Sequence, residues 1–354
     1  MKLVPKRLKA KDEIRVIAPS RSMAILTKEI IHLAKEKLEK EGFKVTFGKN
    51  VMKCSDEDYK CASIEDRIQD LHEAFEDKNV KAILTVIGGY NSNQLLDYID
   101  YNLIKQNPKI FCGFSDITAL QNSIYARTGL ITYSGLHFSS FAMKKGFQYS
   151  LEYFKKILMQ KEEVEIKSSK EWSNDPWFKN QENREFIKNE GMFCINEGDA
   201  EGTIIGGNLC TLNLLQGTKY FPDLNNTILF LEDDGLVGKH FIQEFDRDLQ
   251  SLLHVAKGKN IKGIVLGRAE KVSQMNKEKW IKLIKGKKEL KDIPVIAGAD
   301  FGHTTPIFTF PIGGYAKINA NNNNIQIKIS KIKEEKNMKY FKKLIGENIY
   351  LSPL

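Results

Sequence analysis

Short β-branched runs alternate with amphipathic helical stretches through the first 135 residues, and this rhythm restricts the possible folds more than any other feature of the chain. Ile14-Arg15-Val16-Ile17-Ala18 reads as a buried strand. Ile30, Leu33, Ala34 and Leu38 then recur at helical spacing as far as Gly42, which fits the position just past a helix end. A strand over 43–47 follows, and a helix opening at Ser63 with Asp66 three residues on carries Ile64, Ile68, Leu71 and Phe75 on one face. Next come a strand over 82–87 that stops at Gly88-Gly89, a helical piece at 94–96, a strand over 109–112, a helix over 116–127 and a strand over 130–133. Such β-α alternation predicts a parallel, doubly wound sheet, because parallel neighbours need a crossover and a helix supplies it.

Residues 161–196 break the rhythm: they are polar, acid-rich and aperiodic, with Trp172, Pro176 and Trp177 among them. Beyond them the pattern predicts strands over 202–205, 227–231, 261–266 and 294–297, a helix over 208–215, and a long helix turning Ile242, Phe245, Leu249, Leu252 and Ala256 inward. Three short β runs at 307–310, 315–318 and 325–329 close this half. A chain of 354 residues is long for one core. The expected architecture is therefore α/β: a doubly wound domain over 1–165, a connecting segment over 166–195, and a smaller mixed α/β domain over 196–354, with the active site at their junction. The lysine-rich stretch after Lys331 reads as a surface helix without chemistry.

The charge balance narrows the partners. Fifty-four basic against 45 acidic residues give +9, but lysines and acids are interleaved throughout, so a solvated surface fits better than a nucleic-acid footprint. No run approaches ~18 uninterrupted apolar residues, and no apolar stretch follows the basic N-terminus, so neither a membrane span nor a secretory signal is expected. The five cysteines are scattered and lack a C-x-x-C pair, which argues against a disulfide framework or a zinc site and for the reducing cytoplasm.

Ligands of open α/β sheets bind beyond the carboxyl ends of the strands, so the loops there are the ones to inspect. Gly113-Phe114-Ser115-Asp116 carries a serine through a strand-to-helix turn, where the next backbone N–H is placed to meet an oxyanion. Ile117 replaces the second glycine of G-x-S-x-G, and Ser115 alone also fits an ordinary N-cap. The Gly88-Gly89-Tyr90-Asn91-Ser92-Asn93 loop permits close approach of main chain to a ligand, but no phosphate-binding fingerprint is present. Glu232-Asp233-Asp234-Gly235 ends a strand in carboxylates, suited to orienting a histidine, to a solvated turn or to a hard metal. His303, in Gly302-His303-Thr304-Thr305, is the histidine candidate, with His137 its competitor. Cys112 is a looser nucleophile candidate of amidotransferase type. It directly precedes the turn glycine and is expected to point into the core.

In this order and on these strand ends, Ala18-Pro19-Ser20, Gly88-Gly89, Gly113-Phe114-Ser115-Asp116, Gly206-Gly207-Asn208-Leu209, Leu229-Phe230-Leu231-Glu232-Asp233 and Phe301-Gly302-His303-Thr304 resemble the LD-carboxypeptidase family of serine peptidases, from about residue 11 to 329. The resemblance implies Ser115 as nucleophile, His303 as base, Glu232 as the group orienting His303, and the N–H groups of Asp116 and Gly89 as oxyanion donors. Within the family the chain is most similar to the branch containing the microcin C immunity protein, on residues 88–96 and the Trp172 to Trp177 stretch. That branch implies hydrolysis of an amide joining an amino acid or peptide to a nucleotide-like group, and makes Asn91, Trp172 and Trp177 the substrate-binding candidates, the tryptophans by stacking on a base. The expected partner is thus a small peptidyl- or aminoacyl-nucleotide, with a murein tetrapeptide as the alternative within the family. A non-enzymatic small-molecule binding module is the competing class. This chemistry needs no metal and no organic cofactor, and the resemblance implies a homodimer.

Overall fold

The computed structural model describes residues 2–331, so the lysine-rich stretch beyond Lys331 lies outside the described residues. Strands β1 (Glu13–Ile17), β2 (Lys44–Phe47), β3 (Val80–Thr85), β4 (Ile110–Gly113) and β5 (Thr132–Ser134) are parallel, in the order β2-β1-β3-β4-β5. Helices α1 (Lys28–Lys40), α2 (Ile64–Glu76), α3 (Tyr101–Gln106) and α4 (Thr118–Thr128) make the crossovers, and α5 (Gln148–Met159) leaves the sheet. The Thr27 and Ser63 hydroxyls cap α1 and α2 by accepting from the N–H groups of Ile30 and Asp66, and each helix buries one stripe, Ile30, Ala34 and Leu38 in α1 and Leu71, Ala74 and Phe75 in α2. Strand order reverses between β1 and β3. The loops leaving their carboxyl ends diverge there, as at the ligand crevice of doubly wound sheets.

The rest of the chain adds β6 (Val164–Ile166), a hairpin of β7 (Glu171–Trp172) and β8 (Ile187–Lys188), and then β9 (Phe193–Asn196), β10 (Gly198–Asn208), β11 (Thr227–Glu232), β12 (Ile261–Gly267) and β13 (Val295–Ala299). Strand β14 (Phe310–Ile312) precedes the hairpin of β15 (Tyr315–Asn321) and β16 (Asn324–Ser330), while α6 (Leu209–Asn213), α7 (Phe241–Val255) and α8 (Lys277–Lys285) supply the helices. The second sheet runs β6-β16-β15-β10-β11-β12-β13-β9, with β10 to β13 parallel and antiparallel strands on both flanks. Every residue of β11 is buried, as a central parallel strand covered on both faces requires.

Strands cross the expected domain limits twice. Val164–Ile166 pairs with β16 of the second sheet, and the run expected at 307–310 forms instead at Phe310–Ile312 and pairs with β5 of the first. Each covers an edge that would otherwise expose unpaired backbone groups. The two sheets also meet between α4 and β10: the Thr118 hydroxyl accepts from the Asn208 N–H at 3.0 Å, and Asn122 Nδ2 donates to the Gly206 carbonyl at 2.9 Å. Asn208 is the register partner of Glu232 on β11. The helix that follows Ser115 is thereby fixed to the strand beside the one that ends in Glu232.

Candidate active site

Strand β4 enters its helix through Gly113-Phe114-Ser115, and Ser115 adopts φ +62°. A non-glycine residue in this left-handed region costs about 1–2 kcal/mol, and such strain persists where the surroundings over-determine it. Ser115 is not an ordinary cap: it opens a short 3-10 turn, Ser115–Ile117, that has no side-chain cap. Its hydroxyl lies 3.0 Å from His303 Nε2, and His303 Nδ1 lies 2.7 Å from Glu232 Oε2. The three groups come from the ends of β4, β11 and β13, two sheets converging on one point. Gly302, at φ +107°, leaves room for this, since a β-carbon there would lie 2.7 Å from Glu232 Oε2. The other carboxylates of the cluster turn elsewhere: Asp233 accepts from Asn208 Nδ2 at 3.0 Å and the Cys210 N–H at 3.1 Å, and Asp234 from the Leu236 N–H at 2.9 Å.

The Glu232 side chain is only 4% exposed, against 19% for His303. Burial alone would lower the His303 pKa, but the charge and hydrogen bond of Glu232, aided by Asp234 and Glu270, outweigh it and raise it to about 9. His137 is the opposite case. Burial first, then the charges of His303 and Arg21, push it down to about 3, and its Nδ1 pairs with the Thr85 hydroxyl at 2.8 Å. Its ring packs on Phe114, 4.4 Å between centroids, and Phe114 in turn meets His303 edge-on at 5.5 Å. His137 therefore lies under the Ser115 turn as packing. Cys112 is buried with its sulfur 3.6 Å from the Leu136 carbonyl, and burial raises its pKa, so the thiolate needed for nucleophilic attack is disfavoured.

The glycine loop lies against the same turn, and a β-carbon on Gly88 would sit 3.0 Å from Ser115 Oγ. A cavity of about 310 Å³ opens here, lined by Gly89, Tyr90, Ser115 and Asp116 on one side and Asp233 and Phe241 on the other. A larger hollow of about 890 Å³ lies at the far end of β10, around Asp199 and Thr203, away from these groups. Asn91 does not face the cavity: it is buried, its Nδ2 donates to Cys61 Sγ at 3.1 Å, and its Oδ1 accepts from Arg67 at 3.3 Å. That corrects its reading as a substrate ligand, because both ends of its amide are already engaged by protein. Cys210, Asp233 and Asp234 place donor atoms within 4.8 Å of one another. Burial pushes the Cys210 thiol up and, with the charges of Glu232 and Asp234, Asp233 up to about 7.

Neither tryptophan lines the cavity. The Arg268 guanidinium covers one face of Trp172 at 5.0 Å, and Trp177 packs half-buried against the core beside the exposed Phe178. The insert that carries them clasps the His303 loop. Ser173 and Thr305 form a two-way backbone bridge, and buried Asp300 accepts from the Ser169 N–H at 2.7 Å and from Arg268 Nη2 at 2.8 Å. Arg184 spans Asp175, the Lys145 carbonyl and the Thr305 hydroxyl. Sequence reading missed these residues. Only Asp300, three positions before His303 at a strand end, carried a local signal. Among the described residues no helix is long and apolar enough to cross a membrane.

Residues 14–135 match the model of the LD-carboxypeptidase N-terminal domain, and residues 201–318 match that of the LD-carboxypeptidase C-terminal domain. Over 335 residues the chain is 32% identical to the microcin C7 self-immunity protein MccF of Escherichia coli, covering 92% of this chain and 95% of that protein. A crystal structure of an MccF-like protein from Bacillus anthracis str. Ames superposes with a TM-score of 0.92 at 53% identity, over 93% of this chain and 99% of that one. A structure of MccF in complex with glutamyl sulfamoyl guanosine superposes with a TM-score of 0.82 at 30% identity, over 93% and 99% of the two chains.

Proposed function

The chain belongs to the LD-carboxypeptidase family, and on that premise we propose that it is a serine hydrolase that cleaves the amide between an amino acid or peptide and a nucleotide-like group. The observation that carries the hydrolase reading is the hydrogen-bonded series Ser115, His303, Glu232, at 3.0 and 2.7 Å. His303 Nε2 removes the Ser115 proton as Oγ attacks the carbonyl carbon, and the N–H groups of Asp116 and Gly89 hold the oxyanion. Collapse breaks the C–N bond as His303 returns its proton to the leaving nitrogen. Water, deprotonated by His303, then attacks the acyl-serine, and the C–Oγ bond breaks as His303 returns that proton to Ser115 Oγ, releasing the acid and restoring the enzyme. Glu232 keeps the proton on Nδ1 and stabilises the imidazolium formed at each step. The nucleotide-linked substrate is supported by similarity to MccF, whose structure holds glutamyl sulfamoyl guanosine.

The test is to incubate the purified protein separately with an aminoacyl-sulfamoyl adenosine and with a murein tetrapeptide, and to weigh the products. Free amino acid and sulfamoyl adenosine are expected. Loss of the terminal residue from the tetrapeptide alone would transfer the reading to murein.

The insert supplies a second expectation. Trp177 lies outside the cavity at Ser115, so it stacks on the base only where the nucleotide end of the substrate extends beyond that cavity to the insert; in that case Trp177→Ala should cost ~1–3 kcal/mol in kcat/KM for the adenosine compound and leave a substrate without a base unchanged. Trp172→Ala should act differently. With its ring gone Arg268 loses its support beside Asp300, and kcat should fall for every substrate alike. Steady-state kinetics of both variants on both substrates reads this out, and equal behaviour of Trp177→Ala on the two would remove the stacking role.

A further inference from the structure

We propose that the Asp116 side chain is a positioning residue that sets the second oxyanion donor, so that one residue governs both: its own N–H directly, and the Gly89 N–H through its carboxylate. The proposal rests on the serine-hydrolase reading. Asp116 is 3% exposed, and one of its oxygens, Oδ2, accepts three hydrogen bonds: from the Ser20 hydroxyl at 2.5 Å, the Asn91 N–H at 3.1 Å and the Ser92 N–H at 3.0 Å. Its carbonyl accepts a fourth, from the Ser92 hydroxyl at 2.6 Å. Buried carboxylates are costly unless so satisfied, and bonds to an ionised acceptor are about twice as strong as neutral ones. The carboxylate thus draws the loop after β1 and the loop after β3 onto the turn after β4.

The glycine loop is held at both ends of the peptide that matters. On that same amide, Arg21 Nε donates at 3.0 Å to the Gly88 carbonyl, which shares its peptide bond with the Gly89 N–H. After it, the Asn91 N–H is fixed on Asp116, while Arg67 from α2 grips the Asn91 carbonyl at 3.2 Å and the Pro19 carbonyl at 3.4 Å. Behind it, a β-carbon on Gly89 would lie 2.2 Å from Ser20 Oγ, so the loop rests directly on the hydroxyl that Asp116 holds. This gives the serine of the Ala18-Pro19-Ser20 motif a role, and explains why Asn91 faces inward. An oxyanion site works through donors fixed before charge develops, and a fraction of an ångström at Gly89 is felt in the transition state more than in substrate binding.

The experiment compares Asp116→Asn and Ser20→Ala with wild type in the full chain, measuring kcat and KM on the cleaved substrate and amide hydrogen exchange at residues 88–92. Asp116→Asn keeps its backbone N–H and its size but loses the charge, so kcat should fall ~10²-fold with KM within about threefold. Ser20→Ala removes one of the three bonds, and should show the same kcat-only loss at smaller size. Exchange at Asn91 and Ser92 should quicken in both variants. Unchanged kcat in Asp116→Asn would overturn the proposal, as would losses in kcat and KM together with a lowered melting temperature, the mark of a merely structural group. Should Asp116→Asn fail to fold, Ser20→Ala decides, and wild-type kcat and exchange there would be equally fatal. Hydrogen exchange needs no turnover, so it tests the coupling of the loops even if Ser115 proves not to be the nucleophile.

Discussion

Ser115→Ala should fold as the parent does and lose up to ~10⁶-fold in kcat, the scale seen when a serine hydrolase loses its nucleophile. The methyl group cannot form the acyl-enzyme, and only binding and the oxyanion donors would remain to assist water. Little stability should change, because the deleted hydroxyl gives up one bond, to a histidine that is partly open to solvent. Ser115→Gly is a sharper companion. Glycine tolerates φ +62° without the steric cost that serine and alanine both bear, so this variant should be equally inactive yet melt no lower than Ser115→Ala. Product formation by mass and thermal melts by circular dichroism read both results. Retention of more than a tenth of wild-type activity in either variant would sink the assignment. Cys112→Ala should remain active, since its thiol is buried and held protonated; an inactive, folded Cys112→Ala would revive the thiol nucleophile.

The strand ends that carry Ser115, Glu232 and His303 were legible in the sequence because each strand is a compact apolar run that stops at polar or small residues. What pattern could not reveal was partnership across sequence. Phe310–Ile312 reads as a strand from its own residues, but nothing local says that it pairs with β5, about 180 positions earlier, instead of with the sheet formed around it. Asn91 was a ligand candidate through the resemblance carried by residues 88–96, and the Arg67 that occupies its oxygen lies on α2, 24 residues upstream. The left-handed backbone of Ser115 had no signature either, since Ile117 replaces the glycine that marks such turns. The insert was the least legible part: Arg184 reaches out from an aperiodic stretch, and its neighbours Arg268 and Asp300 on the clasped side follow β12 and β13, positions whose partners neither a period of two nor one of 3.6 detects.

Glu232→Gln should lower kcat by ~10⁴-fold while leaving the fold intact, because glutamine lacks the charge that steadies the imidazolium and can donate where the mechanism needs an acceptor. The pH dependence carries the stronger information. With His303 raised to about 9 by Glu232, the free enzyme near neutrality holds the base mostly protonated, and kcat/KM should climb with pH until His303 has lost its proton. Removing the Glu232 charge leaves burial, which lowers the pKa, as the dominant influence, so the limb of the residual activity should move to lower pH. Stability gives an independent sign. A histidine whose folded pKa lies above its unfolded value of about 6.5 stabilises fully below that value and loses the contribution as pH rises through about 9. Wild-type melting temperature should therefore drop between pH 7 and 10 by more than that of Glu232→Gln. Asp233 is poorly placed to substitute, since it is tied to Asn208 and the Cys210 N–H. A metal role for the same carboxylates predicts something else altogether: inactivation by EDTA, reversed by added metal. Full activity in EDTA together with the shifted limb assigns Glu232 to His303, whereas chelator sensitivity, or an unmoved limb in Glu232→Gln, would refute that assignment.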